Sequence, residues 1–318
     1  MRNANSKALE TQIKTQKPEP MKSITFKLKK NILVALFIIV SGLSANAQQK
    51  QIKTMENLKT GYAPVNGLKM YYEIHGTGTV PLVLIHGGGS TIETSFGNIL
   101  PLLSAYGKVI AVDLQAHGRT NDRNAPVSFE QDADDVAGLL NYLKIDKANF
   151  FGFSNGGSTA MQIAIRHPAI VNKIIVASGG YKRDGFIPGF FENMPNATLA
   201  ANMPEQLKTA YLKVAPDKNG LQVMFNKDKE RMVTFKDWSD DLLRSIKAPA
   251  LFMVANHDVM TIEHTEQMSR LVQGAELIVL PGTHGQFIGA AESGAAKGSK
   301  LTWVAATLVE EFLNKQAQ

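Results

Sequence analysis

The sequence predicts an α/β fold, in which a mostly parallel sheet carries helices on both faces. Three observations carry that expectation. Short apolar runs bounded by Gly, His, Asp or Pro alternate with longer amphipathic segments along the chain. Strands alternating with helices belong to crossover units, which cover both faces of a parallel sheet. The 318 residues, 44% hydrophobic and 19% charged, give enough chain for a full core and a composition unlike that of a disordered protein.

Taken in order, Asn66-Gly67 followed by Lys69–Ile74 (KMYYEI) reads as a β-hairpin arm leading into the sheet. Val80–Ile85, Val109–Val112, Ala148–Phe153, Val171–Ala177, Ala250–Val254 and Leu277–Leu280 read as buried strands. Phe129–Leu143 places Val136, Leu139, Leu140 and Leu143 on one helix face. A second helix closes with Met161–Arg166, before His167-Pro168, and Trp303–Leu313 forms the last. Residues 181–245 break the rhythm, with no core strand and many Phe, Met, Pro and Asn. A structureless loop of that size is improbable in a compact domain, so a small helical lid is expected there, inserted into a main domain of about 60–315. Most Phe and Met residues of 186–203 are expected in the lid's own core.

The formal charge of +6 comes from the N-terminus: residues 1–47 hold eight of the 34 basic side chains and two of the 28 acidic ones, leaving 26 of each. The remainder is formally neutral, which gives no electrostatic reason for nucleic-acid or membrane-surface binding. With no cysteine, thiolate nucleophiles, disulfides and Cys-based metal sites are excluded. From Met21 the chain reads as a basic segment with Lys22, Lys27, Lys29 and Lys30, an apolar run Ile32–Val40, and Ala45-Asn46-Ala47. That order describes a secretory signal with cleavage near Ala47, hence an exported protein, periplasmic or secreted, with an uncleaved N-terminal anchor as the alternative.

The chemistry centres on Gly152-Phe153-Ser154-Asn155-Gly156-Gly157, between the strand Ala148–Phe153 and a helix. G-x-S-x-G is a weak signal alone and a strong one in a strand–turn–helix setting, where a tight turn exposes the serine hydroxyl at a helix N-terminus. His86-Gly87-Gly88-Gly89 follows directly on another strand. A tetrahedral oxyanion needs two amide donors, and Gly88 and Asn155 are the candidates. His284 follows the last strand run and Asp258 the one before it, so both reach the sheet edge that carries Ser154. Ser154, Asp258 and His284 thus form a candidate triad of nucleophile, orienting acid and base. Asp184 is the second candidate acid. His86 is expected beneath the oxyanion loop, His117 and His257 in loops, and His75, His167 and His264 at the surface or capping helices.

HGGG (86–89), VDLQAHGRT (112–120), GFSNGG (152–157), VANHDVMT (254–261) and LPGTHG (280–285) resemble the α/β-hydrolase superfamily over Gly67 to Phe312, most closely its esterase and enol-lactonase-like branch with a small helical cap. The resemblance implies an eight-stranded sheet, a site with neither metal nor cofactor, a small-molecule substrate, and an acyl-enzyme on the serine. Ala116 stands where the family has glycine, and Ala255 where a glycine often precedes the acid. The reaction expected is hydrolysis of a carboxylic ester, thioester or lactone. Other serine-triad chemistries of the fold (C–C hydrolase, peptidase, perhydrolase, lyase) and a binding module are the alternatives.

Overall fold

The computed structural model describes residues 58–295 and 298–316; the expected signal segment lies outside them. One sheet holds eight strands in the order β1-β2-β4-β3-β5-β6-β7-β8. They are β1 (Lys59–Val65), β2 (Leu68–His75), β3 (Leu82–Ile85), β4 (Val109–Val112), β5 (Ala148–Phe153), β6 (Val171–Ala177), β7 (Ala250–His257) and β8 (Glu276–Thr283). The pairs β1–β2 and β2–β4 are antiparallel and the others parallel. The longer helices are α1 (Phe129–Tyr142), α2 (Asn155–Arg166), α3 (Glu205–Val214), α4 (Gly220–Val233), α5 (Ile262–Leu271) and α6 (Lys300–Asn314).

The hairpin turns at Asn66 and Gly67 with φ of 47° and 84°, the left-handed pair a tight hairpin requires. Along the inner strands, alternate side chains divide between two cores. On β3, Val83 and Ile85 join a cluster under α1, α2 and α5, while Leu82 and Leu84 join one under α6 and the short helices Ile92–Phe96 and Leu100–Tyr106. Both faces of the sheet are therefore covered.

The strand runs differ from expectation in three places. β3 begins at Leu82, since Pro81 has no amide to give the ladder. β7 and β8 each run three residues past their apolar stretches, because His257 pairs with Thr283 beyond an irregularity at Ala255. Hydropathy carries no trace of that pairing. β8 is also the sheet edge rather than a buried strand: Val279 is 42% exposed.

Between β6 and β7 the chain forms α3, α4 and the short helices Phe190–Asn193, Leu199–Asn202 and Asp240–Arg244. Trp238 N–H donates to Tyr181 O at 2.9 Å where this segment returns to the body. Connections leave β3 toward β4 on one side and reach β5 on the other, so the chain order reverses at β3. Such a reversal opens a crevice at the carboxyl ends of the strands. Ile85 and Gly152 are register partners there, immediately before the HGGG segment and the serine turn.

Candidate active site

Ser154 stands between β5 and α2 with φ 55° and ψ −121°, a backbone conformation that costs a non-glycine residue on the order of 1–3 kcal/mol. The turn is held by close approach. A β-carbon at Gly152 would lie 1.9 Å from the Gly156 carbonyl oxygen, and one at Gly156 2.0 Å from that of Ile85. Glycine at both positions lets α2 start directly over the strand ends.

Asp258 follows β7 with its side chain shielded from solvent. Its Oδ1 accepts from His284 Nδ1 at 2.6 Å and from the Val259 amide at 2.7 Å. Its Oδ2 accepts from Ser178 Oγ at 2.5 Å and from the Ala255 amide at 3.1 Å. Burial works against ionisation of this carboxyl, but the bonds from His284, Ser178 and Ala255 outweigh it and hold its pKa below the usual carboxylate range. The irregularity in β7 helps to aim the pair, for Asn256 Oδ1 accepts the Gly282 amide at 2.8 Å and ties the two strand ends together. The His284 ring lies over Phe153 with centroids 4.7 Å apart.

The structure thus joins Asp258 to His284 and sets Phe153, next to Ser154, against the imidazole. Among the described hydrogen bonds none links Ser154 Oγ to His284. Asp184 is exposed in a short turn and has no bond to His284 among the described hydrogen bonds. Neither the Gly88 nor the Asn155 amide has a protein acceptor among the described bonds. Both residues line, with Ser154, a cavity of about 490 Å³ beneath the helices inserted between β6 and β7.

His86 is buried, donates from Nδ1 to Gly87 O at 2.7 Å and accepts the Leu114 amide at Nε2, 3.0 Å away. Burial pushes its pKa down to about 3, which keeps it neutral. Two histidines depart from expectation. His117 lies in a loop as expected, and is buried there, bonded to Gln115 O and Asp228. His257 ends β7. His264 is buried and stacked on Tyr181 at 4.8 Å, because the chain entering the inserted segment, at Tyr181 and Gly185, packs over α5. The aromatic run also divides: Phe186 and Phe191 are buried in the core, while Phe190, Met194 and Met203 wall the cavity. Ser178 and Asp228 escaped sequence reasoning altogether. Only the position of Ser178, directly after a strand, could have drawn attention to it, and Asp228 lies in an ordinary helical pattern.

Residues 80–259 match the family described as the alpha/beta hydrolase fold, and the chain belongs to it. Serine hydrolase BPHL of Homo sapiens is 34% identical over 119 residues, which cover 35% of this chain and 40% of that protein. Other curated relatives are matched over 32% to 56% of their lengths, so the chain spans only part of each. The enol-lactonase from Burkholderia xenovorans LB400 superposes with TM-score 0.61 at 22% identity, covering 80% of this chain and all of that one. Est816, described as an N-acyl homoserine lactone degrading enzyme, superposes with TM-score 0.57 at 26% identity over 72% of this chain and 95% of that one.

Proposed function

We propose that this protein is a serine hydrolase that cleaves a carboxylic ester, thioester or lactone through an acyl-enzyme on Ser154. The observation that carries this reading is the Asp258–His284 bond at 2.6 Å on the sheet edge that presents the strained Ser154. Asp258 holds the Nδ1–H of His284, which leaves Nε2 free to take a proton. Ser154 Oγ loses its proton to His284 and attacks the carbonyl carbon. The Gly88 and Asn155 amides receive the oxyanion. His284 then protonates the leaving alkoxide or thiolate as the carbonyl reforms. Water, deprotonated by His284, attacks the acyl-enzyme, and His284 gives that proton to Ser154 Oγ as the acid leaves.

The cavity supports a small to medium, partly apolar acyl group: Phe190, Met194, Met203 and Met224 face it beside Asn193 and Asn202. The inserted helices act as a lid over that group. Kinship with the serine hydrolase and lactone-cleaving proteins above supports the same class. The basic, apolar and small-x-small order of residues 22–47 supports export, with a mature chain beginning at Gln48.

The test is a substrate series. Aryl esters with acyl chains of two to twelve carbons, and γ- and δ-lactones, are offered to the protein and to Ser154→Ala. Turnover with an optimum at short to medium chains, lost in the variant, is the expected result. Equal turnover by Ser154→Ala, or none on any member by folded protein, overturns the reading.

A further inference from the structure

Asp228 takes no part in the triad, yet its carboxylate meets the oxyanion loop. It projects from α4, within the segment inserted between β6 and β7, and lines the same cavity as Ser154. Its Oδ2 accepts from the Gly89 amide at 2.6 Å and from His117 Nε2 at 2.8 Å. The same oxygen would lie 3.3 Å from a β-carbon at Gly88, so it packs against Gly88 itself.

The partners of His117 fix its charge. Nδ1 faces Gln115 O at 2.8 Å and Nε2 faces the Asp228 carboxylate, and neither oxygen has a proton to give. Both ring nitrogens must donate, which makes the ring an imidazolium. His86, its ring tilted at 46° with centroids 4.8 Å apart, donates from one nitrogen and accepts at the other, and is neutral. Arg231 completes the cluster. Its Nη2 lies 3.8 Å from Asp228 Oδ1, and its Nη1 lies 2.9 Å from Asp132 on α1.

The two peptides around Gly88 are therefore held by different bodies. The Gly87 carbonyl, in the same peptide plane as the Gly88 N–H, is gripped by His86 and by the Ser90 amide at 3.3 Å, both from the body of the fold. The next peptide is gripped by Asp228, from the inserted segment, through the Gly89 amide at 2.6 Å, and more loosely by Ser90 Oγ, which donates to the Gly88 carbonyl at 3.4 Å. We infer that Asp228 is a positioning residue for the oxyanion hole: held by the His117 cation, it fixes the Gly88–Gly89 peptide so that the Gly88 amide faces the cavity. The inserted helices would then help to build the hole as well as cover it, and removing the carboxylate would free the loop. This rests on the reading of Ser154 as the nucleophile.

The experiment measures phosphonylation of Ser154 by a small fluorophosphonate, whose phosphoryl oxygen must enter the same hole. Saturation kinetics separate the affinity of the probe from its maximal rate. Asp228→Ala is expected to lower the maximal rate about tenfold or more, with affinity within about threefold of the parent. Asp228→Asn, which keeps one acceptor oxygen but no charge, falls between. A maximal rate within twofold of the parent in folded Asp228→Ala, or a loss confined to affinity as for a mere wall residue, overturns the inference. Should the alanine variant not fold, Asp228→Asn is judged by the same limits. NMR of the parent protein gives a second arm. A downfield Gly89 amide proton and two protonated nitrogens on His117 at pH 7 are expected, and a neutral His117 overturns the inference. A parent protein whose Ser154 is not labelled overturns the serine-hydrolase reading and this one with it; a labelled parent with unaffected Asp228 variants overturns this one alone.

Discussion

Asp258 accepts side-chain bonds from His284 and Ser178 as well as backbone amides, and the two side-chain bonds have separate consequences. Asp258→Asn preserves shape but offers His284 an amide that favours the wrong tautomer, so kcat is expected to fall by about 10⁴ with little change in KM. Ser178 is the less obvious partner. Its φ of 53° turns the chain after β6 so that its hydroxyl reaches Asp258 at 2.5 Å. Ser178→Ala removes one of several bonds that keep the carboxylate ionised and fixed, and a drop in kcat of about tenfold is expected in steady-state ester hydrolysis. The candidate acid could be read from sequence because an aspartate directly after a strand must stand at the sheet edge. Ser178 also follows a strand directly, but nothing in the local pattern reports where a hydroxyl beyond a left-handed turn will point.

Strands β4, β5 and β6 match their apolar runs at both ends, because inner parallel strands are buried on both sides and hydropathy is the property that selects them. The extensions of β7 and β8 depend on pairing rather than burial and left no such mark. The strand-to-helix crossing at the serine turn is the most constrained element. Gly152→Ala would drive a methyl into the Gly156 carbonyl, and the crossing must spread to admit it. A loss of about 3 kcal/mol is expected in urea unfolding, together with loss of the proposed hydrolysis. Ala116 shows the reverse accommodation. It holds φ 64° where the family has glycine, and its methyl is buried with Met203, Leu207 and Tyr211 of the inserted segment. The departure noted in the sequence is thus a contact between two parts of the fold, which a one-dimensional motif cannot express. The Arg231–Asp132 pair joins the same two parts with both side chains buried. Arg231→Ala leaves a buried carboxylate without its cation and is expected to cost about 3–5 kcal/mol in the same measurement.

At the scale of the molecule, stability toward acid is governed by buried titratable groups that composition does not reveal. His264 accepts the Tyr181 amide at 3.3 Å, and burial pushes its pKa down to about 4. The folded state therefore refuses a proton that the unfolded chain takes below about pH 6.5, and stability falls as pH drops from 6.5 to 4. At about 1.4 kcal/mol per unit the group accounts for roughly 3 kcal/mol over that window. Asp113, pushed up to about 6 by burial, works in the opposite direction, because the fold binds its proton first. Comparison with His264→Gln isolates the histidine: the margin by which the parent is more stable at pH 8 is expected to shrink or reverse by pH 4 in chemical unfolding. A constant margin would mean that His264 is protonated in the fold. The overall architecture was legible because alternating strands and helices leave few ways to cover a parallel sheet. The buried polar cluster of His117, Asp228, Arg231 and Asp132 was not, since its members are scattered over a hundred residues and meet only when the inserted helices fold onto the body. The proposed chemistry requires Ser154 to be an activated nucleophile, and covalent labelling tests that most directly. Purified protein is treated with a fluorophosphonate and the digest read by mass spectrometry. A single adduct on the peptide containing Ser154, absent from Ser154→Ala and slowed in His284→Ala, is the expected result. Folded protein that takes no adduct, or an adduct that persists in Ser154→Ala, would rule out the proposed chemistry.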